Sequence, residues 1–186
     1  MILAVLAGVL MAFASATGPG APAAAASVSR PCPGAGLMPS AANIRAIDAA
    51  TLCLINRVRA ANHVPGLRAN RELRRVAAGQ VSLMVRWDYF SDVRPTGQTP
   101  LSLVAATRYP LRAAGVSVGQ NIAWGISGSA TPASIVASWL QSPPHREIML
   151  SGEFHDAGVA STPAIPSIVG RGAGATYAIV FGVRWR

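Results

Sequence analysis

The sequence predicts an α+β domain, with helices packed on an antiparallel sheet. Three observations lead there. Between residues 41 and 84, apolar side chains recur at helical spacing. Runs of strand character cover 116–125, 157–162 and 176–185. Only one helical pattern, 132–140, falls among those runs, so the segments do not alternate as βαβ units do. With 186 residues, 51% of them hydrophobic, the chain can fill one core.

Residues 1–16 are an apolar run, and the first charged side chain is Arg30. That run is shorter than the roughly 20 residues a membrane-spanning helix needs. Ala14-Ser15-Ala16 and Ala24-Ala25-Ala26 both fit an A-x-A cleavage site. Residues 1–26 are therefore expected to be a signal peptide, although no Lys or Arg precedes the apolar stretch. Residues 27–42, rich in Ala, Pro, Gly and Ser, read as a flexible lead-in, and 43–186 as the folded domain. Cys32 and Cys53 are the only cysteines. In an oxidising compartment they can close one loop of about twenty residues, which would contribute about 3 kcal/mol and pin the lead-in to the first helix.

Ile44, Ile47, Thr51, Leu54, Ile55 and Val58 mark that first helix, and Val64-Pro65-Gly66 stops it. A second helix, capped by Asn70, runs through Leu73, Val76, Ala77 and Met84. Arg71, Arg74 and Arg75 near its start oppose the macrodipole, so a bound anion would be favourable there. Residues 87–97 are broken by turn formers. Thr99-Pro100 and Thr131-Pro132 each pair a cap with a first-turn proline, and Ser142-Pro143-Pro144 ends the second of the helices so opened. Trp124 and Trp139 are expected to anchor the core.

Every one of the 16 basic residues is Arg, against 7 acidic residues, for a net charge of +9. The Arg, Ala and Gly usage suggests a GC-rich bacterial genome. The charge favours anionic partners such as phospholipid headgroups or acidic envelope polymers, although a solvated arginine face explains it equally. No nucleic-acid motif is present, and no later segment is long and apolar enough to span a membrane. A monomer is the expected state.

Four segments occur in a fixed order: Leu54-Ile55-Asn56-Arg57 with Arg59, Tyr89-Phe90-Ser91-Asp92, Gly119 to Gly125 (GQNIAWG), and Trp139 to Arg146 (WLQSPPHR). A closing Phe181-Gly182 follows. Together they resemble the CAP superfamily of cysteine-rich secretory, antigen 5 and pathogenesis-related 1 proteins, in its short bacterial form. The resemblance implies secretion and an α-β-α sandwich with a small antiparallel sheet between helical layers. It also implies a central cleft lined by two His and two acidic residues, which binds a divalent metal in some members. Lipid or sterol binding and proteolysis are attributed across the family.

Carried over by position, that cleft is altered. The family's loop His is Asp92, its acidic residue before Asn-Ile-Ala is Gln120, and its second-helix His is Gln80. Only His145 remains, and the segment after it reads Arg146-Glu147-Ile148-Met149-Leu150. A zinc site takes three or four His, Cys or carboxylate ligands; His145 and Asp92 supply two. The expectation is therefore a secreted, non-catalytic binder with no metal and no cofactor, whose cleft is marked by Asp92, Gln120 and His145. Two alternatives stand beside it. One is a hydrolase of envelope material using His145, Asp92 and Ser91 or Ser142. The other is a lipid or sterol carrier with an apolar groove. For His145 a structural role is preferred, its ring bonded to backbone in the Pro-Pro turn. His63 reads as a helix-end residue and His155-Asp156 as a surface turn.

Overall fold

A computed structural model describes residues 31–186; the expected signal peptide lies outside the described residues. Helix α1 (Ile44–Ala61) buries Ile47, Ala50, Thr51 and Ile55, the stripe its sequence spacing requires. A two-residue strand, β1 (Arg68–Ala69), leads into α2 (Arg71–Arg86). There the Asn70 side chain accepts hydrogen bonds from the Glu72 and Leu73 amides, as expected of a cap. Thr99 caps α3 (Pro100–Ala105) in a reciprocal box with Ser102.

The long strand β2 (Gly115–Ile126) passes through a 3₁₀ turn (Ser127–Ala130) into α4 (Pro132–Gln141), capped by Thr131. Ser142 then ends α4 and begins α5 (Pro143–Leu150). The prolines that read as a stop are also a start, because a first-turn proline lacks only an N–H the helix leaves unpaired. Strands β3 (Asp156–Thr162) and β4 (Gly174–Trp185) complete the sheet.

The strand order is β1-β3-β4-β2. Both long pairings are antiparallel, and β1 joins β3 in parallel over two residues, so the sheet is mixed rather than wholly antiparallel. Alternation along the strands builds two cores. Val159, Tyr177, Ile179 and Phe181 face α1, α4 and α5. Ile122, Ala160, Ala178 and Val180 face α2 and α3. This is the α-β-α arrangement. Helix α2 lies directly on β3 at Gly158, where any Cβ would collide with the backbone of Leu73 and Arg74.

Cys32 and Cys53 form the expected disulfide. Beyond it, the Ala133 amide donates to the Ala35 carbonyl, and the Asn43 side chain ties Ser40 and Met38. Residues 31–43 are thus fastened at several points.

One expectation needs correction. Trp139 is buried, its indole N–H donating to the Ile122 carbonyl, but Trp124 is 38% exposed near the end of β2 and anchors no core. The α2 arginines find partners within the protein: Arg74 bonds Asp48 at 3.0 Å and Arg75 bonds Glu72 at 2.6 Å. Arg71 is left with only a 3.9 Å contact to Glu72.

Arg59, quoted in the sequence only as part of a motif, is completely buried. It donates to the carbonyls of Pro65, Met149, Ser151 and Phe154, pinning α1 to the end of α5 and the turn into β3. Burial lowers its pKa.

Candidate functional site

Gln80, which the resemblance sets in place of a helix His, faces inward from α2 and is completely buried. Its amide N–H donates to the Ser91 carbonyl at 2.7 Å, and its Oε1 accepts from Arg94 Nε at 3.2 Å. Gln80 therefore organises the loop after α2. Asp88, with φ 52°, turns the chain there, and the Arg94 amide donates to the Gln98 carbonyl. The loop carries Asp92 to β2, where Gln120 Nε2 donates to its Oδ1 at 2.9 Å.

The cluster is not fully satisfied. Gln120 is 7% exposed, and its Oε1 is buried without a hydrogen-bond partner. The Tyr89 hydroxyl is also buried, close to Gln80 and Arg94 but without a well-formed hydrogen bond to either. Burial raises its pKa, partly offset by the charge of Arg94. Buried polar atoms without partners are rare in folded proteins, and a ligand, an ion or an ordered water can complete the set.

His145 is placed differently. Its Nδ1 meets Ser142 Oγ at 2.8 Å across the first turn of α5, so the ring bonds a hydroxyl rather than backbone. Its backbone carbonyl accepts from Asn121 Nδ2 at 2.9 Å, and Asn121 Oδ1 is buried and unpaired. Gln120 and Asn121 are neighbours on β2 and point to opposite faces. The Asp92 loop and the His145 turn therefore flank the edge strand from either side. The structure joins Asp92 to Gln120, and among the described residues no hydrogen bond links the His145 ring to either.

These residues do not fit a metal. Gln80 Oε1 is already taken by Arg94 Nε and Asp92 Oδ1 by Gln120 Nε2, which leaves a neutral amide oxygen of Gln120, a weak ligand, with no imidazole bonded beside it. Among the described residues, no group of three or more His, Cys, Asp or Glu is arranged to hold an ion. A hydrolytic triad is likewise incomplete. Ser142 and His145 meet, but among the described residues no carboxylate is hydrogen-bonded to the ring. Ser91 Oγ accepts from the Val93 amide instead. His155 lies exposed before β3, and His63 follows α1 with φ 57°. Sequence reasoning missed Arg94 as a member of the cluster. Nothing in its spacing signals the role, which depends on how the loop folds back on α2.

A four-stranded sheet between helical layers is the architecture of a CAP-type domain. Residues 52–164 match the CAP family, the cysteine-rich secretory protein family, and the chain belongs to it. The fold is similar to that of an outer surface protein from Borrelia burgdorferi. That match has TM-score 0.58 and 18% identity, over 72% of this chain and 89% of that one. An extracellular protein containing a SCP domain from Bacillus anthracis gives TM-score 0.54 at 24% identity, over 75% of this chain and 40% of that one. A cysteine-rich secretory protein from Staphylococcus aureus gives 0.54 at 15%, over 76% and 40%. The chain thus spans two fifths of those last two proteins. At such identities the likeness is one of fold. No curated protein matches the sequence. None of the helices among the described residues is long and apolar enough to cross a membrane.

Proposed function

We propose that the protein is a secreted, non-catalytic CAP-domain binder that holds a component of the cell envelope at the cleft around Asp92 and Gln120. The observation that carries this reading is the buried, unpaired Gln120 Oε1 beside the Asp92 carboxylate. A hydroxyl or amide N–H of a ligand would satisfy it. Secretion is supported by the disulfide, the apolar leader, and the extracellular and outer-surface descriptions of the structural neighbours.

Mass spectrometry of small molecules co-purifying with the mature protein from its native host tests the reading directly. A ligand retained by the native protein and lost from Gln120→Leu and Asp92→Ala is the expected result. Stoichiometric zinc that disappears in His145→Ala would overturn it.

The Ser142–His145 contact favours a second reading, a hydrolase of envelope material. That reading requires turnover of envelope extracts to vanish in both Ser142→Ala and His145→Ala. The expected result is no turnover by the unaltered protein.

A further inference from the structure

The other edge of the sheet, where β1 and β3 lie, carries a cavity away from Gln120. It has a volume of about 390 Å³, within the usual range for small-molecule sites. One stripe of α1 forms a wall, with Arg45, Asp48, Ala49 and Leu52 at i, i+3, i+4 and i+7. Arg71 and Arg74, from the start of α2, form the other. The floor is Ala157 to Val159 of β3, with Ala69 beside it. β2 lies two strand spacings beyond β3, roughly 10 Å across the sheet.

The interior, at Ala49, Leu52, Ala157 and Val159, is apolar and the rim is cationic. Three arginines face one carboxylate, and that carboxylate is already engaged: Asp48 Oδ1 accepts from Ser161 at 2.7 Å and Oδ2 from Arg74 at 3.0 Å. The bond to Asp48 uses one of the five N–H donors of Arg74 and fixes its guanidinium at the mouth. The Arg45 side chain makes no hydrogen bond or ion pair among the described residues. Arg71 reaches only to 3.9 Å from Glu72, which Arg75 holds more closely at 2.6 Å. Both Arg45 and Arg71 stand in the first turns of their helices, and α1 has no acidic residue in its own first turn. The positive end of α1 thus adds to the arginine charge, while that of α2 is met by Glu72 in its first turn.

We propose that this cavity binds a small anion with an apolar body, a carboxylate or a phosphate monoester, its head between Arg45, Arg71 and Arg74 and its body on Ala49, Leu52 and Val159. The site is independent of the cleft reading above, and either can fail without the other.

Calorimetric titration of the mature protein with phenyl phosphate and with octanoate tests it, with inorganic phosphate and octanol as head-only and tail-only controls. At least one of the two amphipathic probes should bind about tenfold more tightly than either control, since charge and apolar contact both contribute. The tighter of the two identifies the head group. Arg45→Ala/Arg71→Ala removes two exposed side chains and should weaken that binding by about tenfold or more. Ala49→Glu, also at an exposed position, should do the same by placing a carboxylate at the rim. Asp92→Ala should leave it unchanged. The proposal falls if neither probe binds, if inorganic phosphate binds as tightly as phenyl phosphate, or if both rim variants bind as the unaltered protein does.

Discussion

Arg59 and Gln120 are both buried polar side chains, yet the protein treats them in opposite ways. Arg59 has its donors directed at four backbone carbonyls that no strand or helix would otherwise satisfy. Gln120 has one hydrogen bond, to an exposed carboxylate, and an amide oxygen with none. The first pattern belongs to a group that holds the fold together. The second leaves capacity for something that is not part of the chain. Family membership does not separate the two, since both lie within the motif segments; counting partners does.

The largest expected effect tests the Arg59 side. Arg59→Met keeps much of the volume but strands the carbonyls of Pro65, Met149, Ser151 and Phe154 in the interior. Each such loss costs on the order of 1–3 kcal/mol, and partial rearrangement brings the expected total to about 3–5 kcal/mol, read as a lower urea midpoint. A variant as stable as the unaltered protein would break the comparison, because Arg59 would then be no strut. Reduction of Cys32–Cys53 comes next. The bridge spans 21 residues, so opening it should cost about 3 kcal/mol, measured by unfolding with and without reductant.

Helix caps, strand runs and the cysteine pair are legible because each is a local rule. Asn70, Thr99 and Thr131 cap helices in the structure as their sequence context requires. Helix α5 is hidden because Pro143-Pro144 serves both as a stop and as a start. The parallel β1 has only two residues and no pattern of its own. Asp92 and Gln120 can be picked out by position in the motifs. Their contact, and the part Arg94 plays beside them, depend on a loop folding back over α2 through Gln80. Trp124 misleads because alternation assigns a face but does not say where the covering helices end.

Gln120→Leu is the counterpart to Arg59→Met. It removes the hydrogen bond to Asp92 together with the unpaired oxygen, so loss and relief nearly cancel, and stability should change by less than about 1 kcal/mol. Ligand retention should be lost all the same. A destabilisation as large as that of Arg59→Met would place Gln120 with the structural residues and remove the basis for the cleft.

The smallest effects concern two aspartates, one buried and one exposed, and sharpen the same contrast between satisfied and costly burial. Burial raises the Asp48 pKa above 3.8, outweighing its hydrogen bonds from Ser161 and Arg74. The folded protein then holds that proton more firmly than the unfolded chain does. Its contribution is complete below the unfolded pKa and declines as pH rises through the folded value. Asp88 behaves oppositely. Hydrogen bonds from Ser167 and the Ile168 amide lower its pKa, so its contribution is complete above the unfolded pKa and lost as pH falls through the folded value. Urea midpoints measured across about pH 3 to 6 should therefore respond in opposite senses. Asp48→Asn should remove a component that falls with rising pH, and Asp88→Asn one that rises. If both substitutions tilt the curve the same way, Asp48 is stabilised as a carboxylate by Arg74 and Ser161 despite its burial. The arginine at the mouth of the cavity would then be more fully neutralised than its geometry implies.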